Sequence, residues 1–512
     1  MRQAISSRAQ EVITELADPG SFEPWDRDIV SGDPLNFVDT RPYRERLADA
    51  ASRSGAGESV ITGSARIDGR PIALVASEFG FLGGSIGIAA GERLARAFEC
   101  AERRRMPLLA VVASGGTRMQ EGTLAFLQMV KISDAVRRFR SSGLLYVVHL
   151  SNPTTGGVLA SWGSLGALTY AEPGALLGFS GPRVIELLTG APLPDGVQTA
   201  ENLLAHELVD DVLTLGQLRG RIRDLLAVVT PPPGGTTPAE VDRESTAGHG
   251  PSIAAWDSVL RSRDPARPGV TDLMTACVSA FTPIGPSPVP VDQRRLIVGL
   301  CTLAGVPAVL VAQNRRAPGG ARMCPADLRL AARGFALADE LRLPVVTVID
   351  TVGATLSADA EEGGLAREIA RCIMGILSVR PPTLCVLLGQ GSGGAALALF
   401  PSDRVIAAEN AWLSAIAPEG ASAILYRDTE HAALLADAQR IAAAQLMELG
   451  IVDKVVSEQE STGPWIERVA RAVGSDLRML SALPVPERDA ARRRRYRFVG
   501  NLEAGLHVAD EQ

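Results

Sequence analysis

Gly69-Arg70-Pro71-Ile72-Ala73-Leu74-Val75 returns as Gly305-Val306-Pro307-Ala308-Val309-Leu310-Val311, 236 positions later. Outward from it, Met106-Pro107-Leu108-Leu109-Ala110-Val111-Val112 returns as Leu343-Pro344-Val345-Val346-Thr347-Val348-Ile349, now at 237. Gly116 maps onto Gly353 and Gly156-Gly157 onto Gly393-Gly394, also at 237. An offset held to one residue over this span marks an internal duplication, which decides the architecture before any local reading does.

Each copy alternates apolar runs with amphipathic helices. The first predicts strands over 72–76, 108–113 and 144–150, with helices over 91–104 and 124–138. The second predicts strands over 308–311, 345–349 and 384–388, with helices over 327–340 and 365–377. Continuous apolar runs separated by helices indicate strands buried on both faces, hence α/β layers. Pro231-Pro232-Pro233-Gly234-Gly235-Thr236-Thr237-Pro238 opens a polar stretch running to Pro251 and reads as a linker. The expected organisation is one domain over 1–228, a linker over 229–252, a second domain over 253–480 and a basic tail over 481–512.

The 512 residues suit two or more domains. Their 51 Lys+Arg against 58 Asp+Glu, a net charge of −7, argue against a nucleic-acid or anionic-membrane partner. No stretch has the roughly 18 apolar residues of a membrane span, and the first twenty lack a signal-peptide run. The six cysteines are scattered, with no Cys-x-x-Cys pair, which predicts reduced thiols in a cytoplasmic protein and no metal site.

Candidate chemistry lies in the turns that follow the strands. Ser114-Gly115-Gly116-Thr117-Arg118 and Thr155-Gly156-Gly157 lead into helices, as do Thr351-Val352-Gly353-Ala354 and Ser392-Gly393-Gly394-Ala395 in the second copy. Glycine lets backbone N–H groups approach a ligand closely, and N–H groups at a helix start have no internal partner. Two such turns side by side can aim donors at one developing negative oxygen, forming an oxyanion hole. Any one of them alone reads as a tight turn; four in matching places point toward function. A P-loop is excluded by the absence of G-x-x-x-x-G-K-[ST] and by having only Lys131 and Lys454. The five His show no metal-ligand spacing, His149 reads as a core histidine, and Ser114 lacks the flanks of a nucleophile elbow. Glu361-Glu362 read as helix-dipole partners, and Arg492–Arg497 as a solvated tail or a docking point for an acidic carrier subunit.

Phe79 to Gly87, Ser114 to Gly122, Gln128 to Lys131, Ala171 to Pro173 and Gly178 to Glu186 resemble the β subunit of bacterial acetyl-CoA carboxylase carboxyltransferase. Arg263 to Pro268, Asp350-Thr351 with Gly353-Ala354, Gly389 to Ala398 and Pro418 to Leu425 resemble its α subunit, so the chain resembles a β–α fusion. The resemblance implies two crotonase-type (ββα spiral) domains in tandem. It implies transfer of a carboxyl group from carboxybiotin, borne on a separate biotin carboxyl carrier protein and made by a biotin carboxylase, to acetyl-CoA or a related acyl-CoA. It puts the acyl-CoA oxyanion site at Gly116 and Thr117, near Gly115, Gly156 and Gly157. The biotin site falls at Gly394 and Ala395, with Gly353, Ala354 and Gly393. Gly83, Gly84, Arg118, Arg315 and Arg316 would contact substrate. It also implies a homodimer or higher homo-oligomer whose half-sites face each other across subunits. No residue offers itself as a base, and the ureido nitrogen can take the α-proton.

Three departures stand out. No cysteine precedes Cys100, so no zinc ribbon is expected; Asn314-Arg315-Arg316 stands where the family has a Lys-rich loop; Val352 and Thr355-Leu356 replace the family's residues in the Asp-Thr-Pro-Gly-Ala-Tyr turn. A biotin-independent acyl-CoA decarboxylase and a non-catalytic subunit of a carboxylase complex are the alternatives. Retention of both Gly116 and Gly394 argues against the last.

Overall fold

The computed structural model describes residues 7–230, 254–286, 289–318, 322–459 and 464–500. They fall into two compact units, Met1–Thr230 with Gly285–Pro288, and Pro231–Ile284 with Val289–Gln512. In the first, β1 (Val60–Ile67) and β2 (Arg70–Ser77) form an antiparallel hairpin through Asp68-Gly69. β3 (Leu108–Ser114), β4 (Tyr146–Thr155) and β5 (Leu168–Ala171) then add in parallel, in the registers Ala73↔Leu108, Leu108↔Tyr146 and Val147↔Leu168. Glu23–Trp25 and Asp211–Val212 close the edges.

The crossover helices α1 (Ile88–Arg103) and α2 (Gln128–Ser141) cover one sheet face. Leu94, Phe98, Ile132 and Phe139 meet Ala110, Val112, Tyr146 and Val148 there, with Phe98 edge-on to Phe139 and Tyr146. Burying each large apolar side chain contributes about 1.5–3 kcal/mol. Helices Arg8–Leu16 and Leu215–Val229 pack on β2 and β1.

The second unit repeats the plan. β6 (Leu296–Leu303) and β7 (Val306–Gln313) form the hairpin; β8 (Val345–Thr351), β9 (Thr383–Ser392) and β10 (Arg404–Ala408) follow in parallel. α3 (Pro325–Leu341) and α4 (Leu365–Ser378) are its crossovers. The duplication reaches the irregularities: pairing shifts between Val112 and Ser114 in one sheet and between Ile349 and Thr351 in the other, which are equivalent positions.

The structure corrects four expectations. The first strand of each hairpin was not foreseen, because its apolar residues alternate with small polar ones (Thr62, Ser64, Thr302). The helix expected over 124–138 is two, Gly122–Phe126 and Gln128–Ser141, and the first leaves Leu124, Phe126 and Leu127 exposed. The segments after Leu150 and Leu388, read as turns, continue their strands to Thr155 and Ser392. The C-terminal residues expected as a basic tail form α5 (Val485–Arg497), packed on the second unit. There Arg492 is buried against Asp403 (2.7 Å) and donates to the Pro381 carbonyl, while Arg495 pairs with Asp453 (2.8 Å). The sequence shows a run of charges; the counter-charges that draw it inward come from strand ends about 40 to 90 residues away. Residues 231–253, most of the expected linker, lie outside the described residues.

Candidate functional site

At the end of β3 the pairing shift frees Ser114, whose Oγ donates to the Gly84 carbonyl (2.7 Å) and accepts the Gly116 N–H (3.0 Å). Thr351 does the same at the end of β8, accepting the Gly353 N–H at 3.1 Å. Gly116 and Gly353 take φ of +104° and +118°, a region closed to other residues without strain. Ile86 then clamps the first turn, donating to Gly116 O (2.9 Å) and accepting from Arg118 N–H (3.0 Å); Met323 clamps the second between Gly353 O and Thr355 N–H (3.1 and 2.9 Å).

Between the clamped residues stand Thr117 and Ala354. Their N–H groups meet no acceptor among the described residues. The N–H groups of Gly157, and of Gly394 and Ala395, lie in the first turns of Gly156–Leu159 and Gly393–Leu397, where no intrahelical acceptor exists. In the first unit the turns touch backbone to backbone: a Cβ on Gly156 would stand 3.1 Å from Gly116 Cα, and one on Gly157 3.1 Å from Thr117 Oγ1. Thr117 and Gly157 are therefore neighbours, each with an open donor. In the second, Gly353 lies against Ser392, the residue before Gly393, and Gly394 faces Ile369 of α4.

The other expected site residues divide. The Gly116 and Gly115 N–H groups are engaged by Ser114 Oγ and Gly83 O, so both residues shape the turn and do not serve as donors. Gly83 and Gly84 form the cradle beneath it; a Cβ on Gly84 would stand 2.2 Å from Ala113 O. Arg118 was expected to meet substrate, but its guanidinium has 0% exposure and pairs with Glu58 at 2.6 Å. Arg315, also expected to meet substrate, is buried against Asp350 (2.9 Å) and donates to Asp264 O, and Arg316 pairs with Asp272 (2.8 Å). Both donate to the Arg267 carbonyl; Arg315 supplies the counter-charge that burial of Asp350 demands, whereas the side chains of Arg316 and its partner Asp272 stay exposed. Val352 and Leu356 are exposed, so the departures in this turn alter its surface while its backbone bonding matches that of the first unit.

Electrostatics leave few reactive side chains. Burial lowers the pKa of His149, whose Nε2 meets Leu213 O at 2.9 Å, so it stays neutral as a core histidine. Burial pushes the thiols of Cys277 up to about 11 and of Cys372 and Cys385 up to about 12, too high for nucleophiles. Burial also raises Asp350 to about 6, against the pull of Arg315 and the Gln390 N–H. Among the described residues no group of three His, Cys, Asp or Glu is placed to hold a metal, and no helix is long and apolar enough to cross a membrane. Sequence reading missed the hydroxyls of Ser114 and Thr351, although they stand 237 apart like the glycines they serve. It also missed Glu58, Glu121 and Tyr43, which gather around Arg118 and carry no sequence signal.

Residues 17–209 match the family described as the carboxyl transferase domain, and residues 243–500 the family described as acetyl co-enzyme A carboxylase carboxyltransferase-like. The probable biotin-dependent acyl-coenzyme A carboxylase beta3 subunit of Mycobacterium tuberculosis (strain ATCC 25618 / H37Rv) is 49% identical, covering 95% of this chain and 97% of its own. The acetyl-coenzyme A carboxylase carboxyl transferase subunits beta/alpha protein of Salinispora arenicola is 40% identical, covering 97% of this chain and 91% of its own. Among solved structures, transcarboxylase 12S with methylmalonyl-coenzyme A and methylmalonic acid bound superposes with a TM-score of 0.71 at 20% identity, over 94% of this chain and 91% of that one. The fold is accordingly two crotonase-type domains in tandem.

Proposed function

The chain belongs to the carboxyltransferase family of the biotin-dependent acyl-CoA carboxylases, with β-type and α-type halves fused, and from that premise we propose that it carboxylates the α-carbon of acetyl-CoA or a related short acyl-CoA. The observation that carries this reading is the open pair of N–H donors on Thr117 and Gly157. In the reading they bind the thioester oxygen, whose charge grows as the α-proton leaves. Fixed dipoles need no reorganisation at that moment, and removing one such donor typically costs about 10²–10³ in rate.

Ala354, Gly394 and Ala395 form the second site of the proposal, for the ureido group of biotin brought on a separate carrier protein. Small residues and unpaired N–H groups suit an oxygen that gains negative charge. When bound, that group supplies the carboxyl and a nitrogen able to take the α-proton. This chain's residues then have to hold the two oxygens and keep water out, and the absence of a side chain assigned as base is in keeping with that. A biotin carboxyl carrier protein and a biotin carboxylase are the proposed partners. The reading includes a homodimer, supported by exposed Met119, Phe126, Phe179, Leu187 and Leu188 in the first unit and Leu356, Ile424 and Leu425 in the second. It is set in the cytoplasm, where six free thiols stay reduced.

The test runs the reaction backwards. Malonyl-CoA or methylmalonyl-CoA is given to the purified protein with and without free biotin, and loss of the carboxylated thioester is followed. Biotin-dependent loss supports the proposal and ranks the acyl groups. Biotin-independent loss would replace it with a decarboxylase, and no loss with any thioester would overturn it. Mixing variants with lesions in different units should restore activity if sites are shared between copies; no restoration would remove that part of the proposal.

A further inference from the structure

Beside the Thr117 turn the first unit buries a cluster of charges. The Arg118 guanidinium donates to Glu58 Oε1 (2.6 Å), Ser31 Oγ (2.6 Å), Ser59 Oγ (3.1 Å), Ser85 O (2.6 Å) and Glu121 Oε1 (3.4 Å). Glu58 and Arg118 are fully buried, and Glu121 and Tyr43 nearly so. Glu121 accepts from Tyr43 O–H (2.7 Å) and from the N–H of Ile88, where α1 begins (2.6 Å). A Cβ on Gly87 would stand 2.5 Å from Glu121 Oε1 and 2.8 Å from Arg118 Nη1, so a glycine makes room for the cluster.

Taking such charges out of water costs more than their attraction returns unless geometry and hydrogen bonding are excellent, and apolar replacements are often no less stable. The duplication supplies an internal control. At an offset of 237, Arg118 falls on Thr355 and Glu121 on Ala358, and the same strand, turn and helix form there without the cluster. The buried pair beside that turn, Arg315–Asp350, ties a strand end to the turn around Arg267 instead. The crotonase fold therefore does not require what Arg118 does.

Arg118 grips two successive residues, Ser85 and Ile86. Its N–H donates to Ile86 O at 3.0 Å, and its side chain holds Ser85 O at 2.6 Å, the carbonyl of the same peptide whose Ile86 N–H donates to Gly116 O at 2.9 Å. Gly116 O and the Thr117 N–H belong to one planar peptide, so the grip on the Ser85–Ile86 peptide is passed to the direction of the Thr117 N–H. We propose that Arg118, with Glu58 and Glu121 as counter-charges, is a positioning residue that fixes the direction of the Thr117 N–H toward the acyl-CoA oxyanion. The inference rests on the reading of the first unit as the acyl-CoA side.

The test uses the full chain with Arg118→Lys, which keeps the charge and loses the planar fork, and the double variant Glu58→Gln/Arg118→Met, which leaves no unpaired charge at Glu58. Thermal unfolding, kinetics of biotin-dependent malonyl-CoA decarboxylation, and hydrogen exchange of residues 114–119, with 351–356 as internal reference, are compared with the unsubstituted protein. The double variant should unfold cooperatively, lose about 30-fold or more in kcat at unchanged KM for biotin, and exchange about tenfold faster at 114–119 but not at 351–356. Arg118→Lys should fall between. A kcat within about threefold with unchanged exchange at 114–119 would overturn the proposal. If the double variant does not fold, Arg118→Lys decides by the same two readouts. If the unsubstituted protein moves no carboxyl group, the reaction reading has failed, and the exchange comparison alone upholds or rejects the positioning role.

Discussion

In the first unit a Cβ on Gly156 would stand 3.1 Å from Gly116 Cα, whereas in the second a Cβ on the equivalent Gly393 meets nothing nearer than Ala415 O at 3.4 Å, and one on Gly353 nothing nearer than Ser392 O at 3.7 Å. The first turn pair is in backbone contact, with the Arg118 cluster beside it; the second shares its hydrogen bonding, lacks that contact, and has the buried Arg315–Asp350 pair at the strand end before its turn in place of such a cluster. One plan, used twice, is thus tightened where the proposal places a flexible thioester and left looser where a carrier must deliver a bicyclic group and withdraw. Other buried arginines of the second unit lie farther off, with Arg488 and Arg492 on Asp403 near the start of β9, the end of the strand away from the turns.

The comparison breaks most sharply at the two positive-φ glycines. Gly116→Ala puts a Cβ 3.3 Å from Gly156 Cα and should cost about 10³ in carboxyl transfer, against about 10–100-fold for Gly353→Ala. Equal losses in the malonyl-CoA assay would erase the distinction between tight and loose turns. Next comes the C-terminal helix. Arg492→Ala strands the buried Asp403 carboxylate and should lower stability by about 2–4 kcal/mol, while exposed Arg493→Ala changes it by less than about 0.5 kcal/mol. Denaturant unfolding measures both. A large loss of kcat at the permissive temperature in Arg492→Ala would show that α5 belongs to the site after all.

Asp350 tests whether the second unit stores charge near its turn. Its proton is held more tightly in the folded chain, about 6 against an ordinary value of 3.8, so folding takes up a proton between those values. Stability should therefore fall as pH rises from about 4 to 6, by an amount on the order of 1–3 kcal/mol, and Asp350→Asn should flatten that slope. A slope that survives the substitution would assign it to another group. The smallest effect is expected at Thr117→Ala, which leaves the N–H in place; kcat within about threefold supports a backbone donor, and a loss above about 30-fold would assign the donor to the hydroxyl.

Much of the fold was legible because duplication leaves a period, and buried parallel strands leave short apolar runs bounded by Gly and Pro. The first hairpin strands escaped because Thr62, Ser64 and Thr302 interrupt their apolar pattern at positions the sheet buries or half-buries. Of the site, the glycines were visible through their spacing. Arg118 and Arg315 were expected at the substrate because a cation next to a glycine turn looks the same in sequence whether it faces solvent or, as these two do, a buried carboxylate; Arg316 stays at the surface beside the exposed Asp272 side chain. Glu58 lies 60 residues from Arg118, and nothing local couples them.

By itself the sequence determined two copies of one α/β unit, the four strand-to-helix turns and the family they resemble, since these depend on period, residue size and backbone freedom. Only the tertiary structure decided which N–H groups of those turns are open and which arginines are consumed inside. A hydrogen-bond donor is free or engaged according to what the rest of the chain brings within about 3 Å of it, and that neighbour is chosen by packing.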